Sequence, residues 1–202
     1  MSRASRWEDL NTALSSNSSL GWCYIEGEWP LVLWNLEPNQ KGTEKASKLY
    51  EEIMISQKHF LYYKDVDWYH ITQILVAICQ LFRDDPEKVY VHVNERKEGV
   101  HIETQAKFDF VLHKGKKRVI VLQAMDYNME ERLVDAVVSC EILADTENVP
   151  VVYAVVTNLR DWHFLKSNES YIQHHQTCVG HFHTPESVGE IIGKLYSILV
   201  EA

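Results

Sequence analysis

The amino-acid sequence predicts an α/β sandwich, in which a central mixed sheet is flanked by helices. Between residues 66 and 157 a helical pattern, three extended runs, a second helical pattern and a fourth extended run follow one another. The fourth run, VPVVYAVVT at 149–157, is nearly all apolar, which is typical of a strand covered on both faces. Such layers bury their apolar faces against one another. With 202 residues, of which 46% are hydrophobic, the chain can form one structural domain.

The first element is predicted to be a short docking helix. Ser5 and Glu8 have the spacing of a capping box, and Trp7, Leu10 and Leu14 would share one face of the helix that follows. This helix opens an amino-terminal extension, residues 1–65, that is rich in tryptophan and is expected to pack on the core.

The rest of the extension gives weaker patterns. Residues 21–36 are rich in aromatic and β-branched residues, so they are predicted to form a strand pair or an irregular extended segment. Residues 43–58 carry apolar residues at helical spacing and predict one amphipathic helix.

The core is predicted to span residues 66–202. A helix begins near residue 66 and stops at the sequence DDP, residues 84–86. Apolar spacing predicts a second helix at 129–145, and Thr184 with Pro185 predicts the start of a last helix. The strands are predicted at 89–95, 108–113, 118–125, 149–157 and 162–167.

Composition restricts the class of protein. The 20 Lys and Arg residues are outnumbered by 29 Asp and Glu residues, which gives a formal charge of -9 and opposes long-range attraction to nucleic acid. No run approaches the roughly 20 apolar residues of a membrane span, and the first residues lack the apolar run of a secretion signal. A cytoplasmic or nuclear location without a membrane role is therefore expected, with the four dispersed cysteines as free thiols.

The segment KFDFVLHKGKKRVIVLQAM, residues 107–125, is two apolar runs joined by a basic glycine turn. Together with the helix that follows and the segment VVYAVVTNLRDWHFLKSN, it resembles the nuclease-like domain of Crinkler-type effectors and retrotransposon hot-spot proteins, within the PD-(D/E)XK nuclease superfamily. The resemblance covers roughly residues 66–166. It implies a restriction-endonuclease-like sandwich with a central mixed sheet flanked by helices.

The resemblance also implies where a metal site would lie. In the family an Asp on the second strand and a Glu-x-Lys on the third hold magnesium and position water, and Asp109 matches that first acid. Glu103 stands where an accessory carboxylate is plausible. Gln123 and Met125, however, occupy the places of the Glu and the Lys, so the three matched positions are vestigial.

The chemistry of the Gln and Met side chains explains why the departure from the family pattern matters. If Gly115, Lys116 and Lys117 form a three-residue loop, Asp109 faces Gln123 across the ladder, with Met125 next on the same face. Magnesium prefers carboxylate and water oxygens, and a neutral amide supplies no charge to offset its dehydration. A thioether neither donates a proton nor stabilises phosphate charge. No catalytic or metal-binding residues are therefore expected.

Two function hypotheses remain open. The first is a non-catalytic domain without cofactor that acts as a scaffold or protein-interaction module, with residual nucleic-acid binding and a homodimer as further options. The second is a Mg- or Mn-dependent nuclease with a rearranged carboxylate site. Its metal ligands would be Asp109, Glu103, Asp126 and Glu130, although Asp126 would need a bulge to point the right way.

Two surfaces could serve binding. The turn residues Lys114, Lys116, Lys117 and Arg118 could contact phosphate, although charged hairpin tips are usually only solvated. The aromatic residues of the extension either belong to the core or form an exposed anchor patch for a partner. The candidates for such a patch are Trp22, Trp29 and Trp34.

The segment YIQHHQTCVGHFH, residues 171–183, contains residue types that could bind zinc. The spacing of His175, Cys178 and His181 does not match a closed zinc site, which usually has two separated ligand pairs. Surface or core histidines on an irregular strand are the favoured interpretation.

Overall fold

A seven-stranded mixed sheet organises the chain. The computed structural model describes residues 1–16, 20–44, 50–51, 66–124, 128–179 and 184–201. The strand order is β1-β7-β6-β5-β4-β3-β2. The strands are β1 (Leu31–Leu33), β2 (Val89–Glu98), β3 (Gln105–Lys114), β4 (Lys117–Gln123), β5 (Val152–Thr157), β6 (Asp161–Ser167) and β7 (Ile172–Cys178).

Helices cover both faces of this sheet, so the predicted α/β sandwich is confirmed. β4 and β5 run parallel, as do β1 and β7, and the remaining neighbours are antiparallel. The helices in chain order are α1 (Arg3–Ser15), α2 (Trp22–Glu28), α3 (Gln40–Glu44), α4 (Val66–Leu81), α5 (Met129–Glu147) and α6 (Pro185–Val200).

Two hydrophobic cores lie on opposite faces of the sheet. Residues of α4 and α6 form one core, which we call the α6-side core, and residues of α1, α2 and α5 form the other, the α5-side core. The central strand β5 is buried at all six positions and contributes to both. Its position between two helical layers therefore explains its nearly continuous apolar sequence.

The amino-terminal extension differs from the prediction in two places. The helix α1 begins one turn earlier than the proposed capping box, because the Ser2 hydroxyl, and not Ser5, caps it by accepting the N–H of Ser5 at 3.2 Å. Residues predicted as extended form helix α2 instead, since Trp22 and Ile25 bury on one side three residues apart. The predicted helix at 43–58 lies almost wholly outside the described residues.

A buried ionic network attaches α1 to the sheet. Arg6 and Glu141 are both fully buried and their side chains lie 3.1 Å apart. Glu141 also accepts hydrogen bonds from the Trp7 indole at 3.0 Å and the Ser167 hydroxyl at 2.6 Å. Arg3 donates to the carbonyls of 149, 150 and 167. The extension thus shares the core of the fold, and β1 continues its sheet by pairing with β7.

Within the described residues, no helix is long and apolar enough to cross a membrane.

Candidate functional site

The β3–β4 hairpin carries the predicted site and sets its register. Lys114 pairs with Lys117, so the turn contains two residues, Gly115 and Lys116, and Gly115 has the positive φ of 56° that favours glycine. The prediction of a three-residue loop is therefore wrong. The ladder places the position opposite Asp109 at residue 122, so Asp109 and Gln123 are not direct cross-strand partners.

Asp109 nevertheless contacts Gln123 through the main chain. Its Oδ2 atom accepts the backbone N–H of Gln123 at 3.0 Å and a guanidinium N–H of Arg132 at 2.8 Å. Arg132 also donates through Nε to the carbonyl of Gln123 at 2.9 Å and through Nη1 to Asp135 at 3.2 Å. This side chain of α5 therefore joins the end of β4 to the interior of β3.

The ion pair changes what Asp109 can do. A divalent ion at Oδ2 would lie within a few ångströms of the Arg132 guanidinium, and the two positive charges would repel each other. The Oδ2 atom already accepts one backbone donor and one charged donor, both good hydrogen bonds for an anion. Arg132 was not identified from the sequence, where its one signal is its position in the first turns of the helix that follows β4.

The other predicted metal ligands do not gather around Asp109. Within the described part of the chain, Glu103, Asp109 and Glu130 do not form a group whose ligand atoms lie within 4.8 Å of one another. Glu103 is exposed in the turn before β3, where its N–H donates to Asn11. Met125 and Asp126 lie outside the described residues.

A cleft of about 740 Å³ opens at the same end of the sheet. Gln123 and Thr157 are in register at the ends of the parallel strands β4 and β5, and α5 starts just beyond them. Ligands of α/β sheets commonly bind outside the carboxyl ends of strands. The cleft is lined by Asn128, Met129, Glu130, Glu131, Asn158, Arg160, Asp161, His163 and Gln176.

His163 lines this cleft and forms a pair with His174 that the sequence did not reveal. His163 Nδ1 and His174 Nε2 lie 3.0 Å apart, so one ring donates to the other. Burial lowers the pKa of His163, and burial together with its neighbours His163 and His175 lowers the pKa of His174 to about 4. Both rings are therefore neutral near pH 7, and each can act as the donor or the acceptor according to its tautomer.

The remaining residues of the histidine-rich segment have other partners. His175 Nδ1 lies 2.9 Å from the Trp34 carbonyl, and its Nε2 lies 2.9 Å from the buried Lys194 ammonium. The part of the segment from Ile172 to Cys178 forms the regular strand β7 and not an irregular one. Cys178 is an exposed free thiol, and His181 and His183 lie outside the described residues.

Of the two interpretations of the aromatic residues, core packing is confirmed for Trp22, Trp29 and Trp34, and an exposed patch formed by these three is wrong. Trp22, Trp29 and Trp34 keep only 7%, 2% and 7% of their surface accessible. Trp22 packs edge-on against His174, and Trp34 packs against Tyr153. These side chains fill the two cores because α2 packs against α5 and β1 pairs with β7 in the sheet.

The basic turn mainly holds helix ends. Lys117 donates to the carbonyls of Ile198 and Glu201, and Lys114 donates to that of Leu199, at the carboxyl end of α6. Positive charges at this position interact favourably with the negative end of the helix dipole. Arg118 forms an ion pair of 2.7 Å with Glu147 at the end of α5. Lys116 is exposed at the tip.

The fold and the site define a mixed α/β domain in which Asp109, the residue that the sequence resemblance matched to a nuclease acid, forms an ion pair with Arg132. Its sequence places it in a distant relationship with the Crinkler effectors. The chain is 28% identical to Crinkler effector protein 5 of Phytophthora infestans, over 98% of this chain and 62% of that protein. It thus spans less than two thirds of that relative's length. No family model and no solved structure matches.

Proposed function

We propose that this chain is a Crinkler-type effector domain with a degenerate PD-(D/E)XK-like core, which binds a protein partner in the cytoplasm or nucleus and does not cleave nucleic acid. The observation that carries the proposal is the 2.8 Å pair between Asp109 and Arg132. A protein cation stands where a nuclease of this kind would need a metal ion. The neutral side chain of Gln123 adds no charge to attract one.

The edge of the sheet supplies the binding surface. Within the described residues the ten-residue strand β2 pairs only with β3, so its outer backbone groups can accept another strand. A groove of about 470 Å³ lies between this strand and α4, lined by Val76, Cys79, Gln80, Phe82, Arg83, Lys88, Val89, Tyr90 and Val91. An extended peptide that places an apolar side chain in the groove fits this edge.

Selection from a displayed library of extended peptides, about twelve residues long, tests the partner class, because main-chain pairing gives affinity and pockets give specificity. We expect enriched peptides with alternating apolar residues, and Val76→Asp should weaken their binding at least tenfold, because it places a charge in the groove. Leu33→Asp is the matched control, since Leu33 is exposed on the opposite edge strand. Equal loss in both variants, or no enrichment, would overturn the proposed surface.

Metal uptake and cleavage test the loss of catalysis. Titration with Mg²⁺ and Mn²⁺, followed by assays on single- and double-stranded DNA and RNA, should show neither uptake at Asp109 nor cleavage. Metal-dependent cleavage that disappears in Asp109→Ala would instead establish the rearranged nuclease.

A restoration series tests the role of Arg132 directly. The double change Gln123→Glu with Met125→Lys should not restore Mg²⁺ uptake, because Arg132 still occupies Asp109. The triple variant that also carries Arg132→Ala should restore Mg²⁺ uptake. If the double variant binds Mg²⁺ while Arg132 is still present, the ion pair does not control the site.

A further inference from the structure

On the side of the sheet that faces α5, three side chains of β2 and β3 meet at one point. Glu95 Oε2 lies 3.6 Å from His92 Nδ1 and 3.5 Å from His113 Nε2. Among the described residues, this is the group of three potential ligands whose donor atoms lie within 4.8 Å of one another. None of the three belongs to the Asp109 site.

Strand alternation alone would separate these residues. His92 pairs with Val111, which belongs to the α5-side core, so His92 and His113 share that face. Glu95 would point the other way in a regular strand. It pairs with Phe108, however, which also belongs to the α5-side core, although Phe110 belongs to the α6-side core.

The exchange of faces occurs at Asn94. This residue has a φ of 54°, a left-handed conformation that asparagine tolerates better than most residues. Because the left-handed residue interrupts the normal alternation of side chains, Glu95 and His92 point to the same face of the sheet. A left-handed residue inside a ten-residue strand is costly, and such features persist where the surrounding structure or a function requires them.

Two of the three potential ligand atoms at this point have no hydrogen-bond partner among the described residues. Glu95 Oε2 and His113 Nε2 are both buried, and neither forms a hydrogen bond with any described residue. Buried polar atoms are nearly always satisfied. Lys97 contacts the other carboxylate oxygen, Oε1, at 3.2 Å, so Oε2 keeps no cation on it among the described residues, unlike Oδ2 of Asp109. Oε2 is thereby directed toward the two imidazoles. Glu147 pairs with both Lys97 and Arg118 and offsets their charge.

We propose that His92, Glu95 and His113 bind a Zn²⁺ ion. Zinc binds imidazole nitrogen and carboxylate oxygen at about 2.0–2.2 Å, so two ligands of a tetrahedral ion lie about 3.3–3.6 Å apart. The two measured separations match this edge length. The stacked rings of His92 and His113, with centroids 4.3 Å apart, must tilt for both nitrogens to point at the ion. His92 is more than half exposed, so its ring can turn and water can complete the coordination.

Isothermal titration of the tag-free full chain with Zn²⁺ tests the site. We expect one ion per chain and a visible Co²⁺ spectrum typical of tetrahedral nitrogen and oxygen ligands. His92→Ala and Glu95→Gln should each weaken Zn²⁺ binding by a hundredfold or so, at or above the 10–100-fold that loss of an outer-shell partner costs. Both residues lie at the surface edge of the sheet, and circular dichroism verifies that the variants fold.

Two controls separate this site from other histidines. His101→Gln removes an exposed histidine that pairs with Asp145 without a third ligand, and Cys178→Ser removes the thiol of the histidine-rich segment. Both variants should bind Zn²⁺ like the parent protein. Absence of binding by the parent, equal affinity in His92→Ala, or loss in Cys178→Ser would each overturn the proposal. None of these results bears on the peptide-binding edge, which Val76→Asp tests separately.

Discussion

The Arg132 guanidinium lies 2.8 Å from Oδ2 of Asp109 and also donates to the carbonyl of Gln123. A single side chain of α5 thus pairs with the Asp109 carboxylate on β3 and also bonds the last residue of β4. Both functions are structural. They give Asp109 a role in the fold that does not depend on a metal ion.

Removal of Arg132 should therefore lower stability. Arg132→Ala leaves the partly buried Asp109 carboxylate without its cation, and we expect the free energy of unfolding to fall by about 1–2 kcal/mol. Urea denaturation measures the change. Arg96→Ala is the control, because Arg96 is exposed on β2 and should change stability by less than about 0.5 kcal/mol. Equal effects of the two variants would contradict a structural role for the ion pair.

Removal of Glu141 should lower stability more than removal of Arg132, because Glu141 and its partner Arg6 are fully buried. Glu141→Ala leaves two arginines without their anion, and breaking a buried pair from one side costs about 3–5 kcal/mol. Glu8→Ala, an exposed change on α1, is the matched control. Thermal and urea unfolding measure both variants.

A double variant sharpens this test. Replacing both partners by apolar residues, as in Arg6→Met with Glu141→Leu, should destabilise less than Glu141→Ala alone, because no buried charge of that pair is left uncompensated. A double variant that is less stable than the single would show that the network contributes more than charge compensation.

The histidine pair predicts a dependence of stability on pH. The folded state holds His174 with a pKa of about 4, whereas an unfolded histidine has a pKa of about 6.5. Between these values the unfolded chain binds more protons, so stability is full above about pH 6.5 and falls as the pH drops toward 4. We expect a loss of about 1–2 kcal/mol, because the ring is only partly buried and is coupled to His163.

The measurement is the free energy of unfolding from pH 7.5 to 4.5, compared with that of His174→Gln. The variant should lose less stability than the parent over this range, since the group whose pKa shifts is absent. Parallel curves would mean that other groups, such as the carboxylates, account for the whole dependence.

Sequence patterns predicted the core of the fold well because each core element has one dominant periodicity. The helix α4, the strand β5 and the amino-terminal cap of α6 by Thr184 all follow from local spacing. Helix α2 was missed because its aromatic and β-branched residues favour strands, while packing of Trp22 and Ile25 on the sheet decides for a helix.

The candidate site was less predictable because its contacts are long-range. Asp109 and Arg132 are 23 residues apart, and no local pattern reports that pairing. The hairpin register depended on whether Lys117 belongs to the turn or to the strand, a difference of one residue. The group formed by His92, Glu95 and His113 was hidden because normal alternation places residues 92 and 95 on opposite faces.

The conformation of Asn94 links backbone geometry to the proposed zinc site. A β-branched residue fits a left-handed φ poorly, so Asn94→Val should lower the free energy of unfolding by about 1–2 kcal/mol. If the strand relaxes to regular geometry, Glu95 turns away from His92 and His113, and Zn²⁺ affinity should fall together with stability. Asn94→Gly accepts the same φ and should keep Zn²⁺ affinity close to that of the parent. Titration of both variants distinguishes these outcomes, and equal Zn²⁺ affinity in Asn94→Val and Asn94→Gly would show that the left-handed residue does not position Glu95.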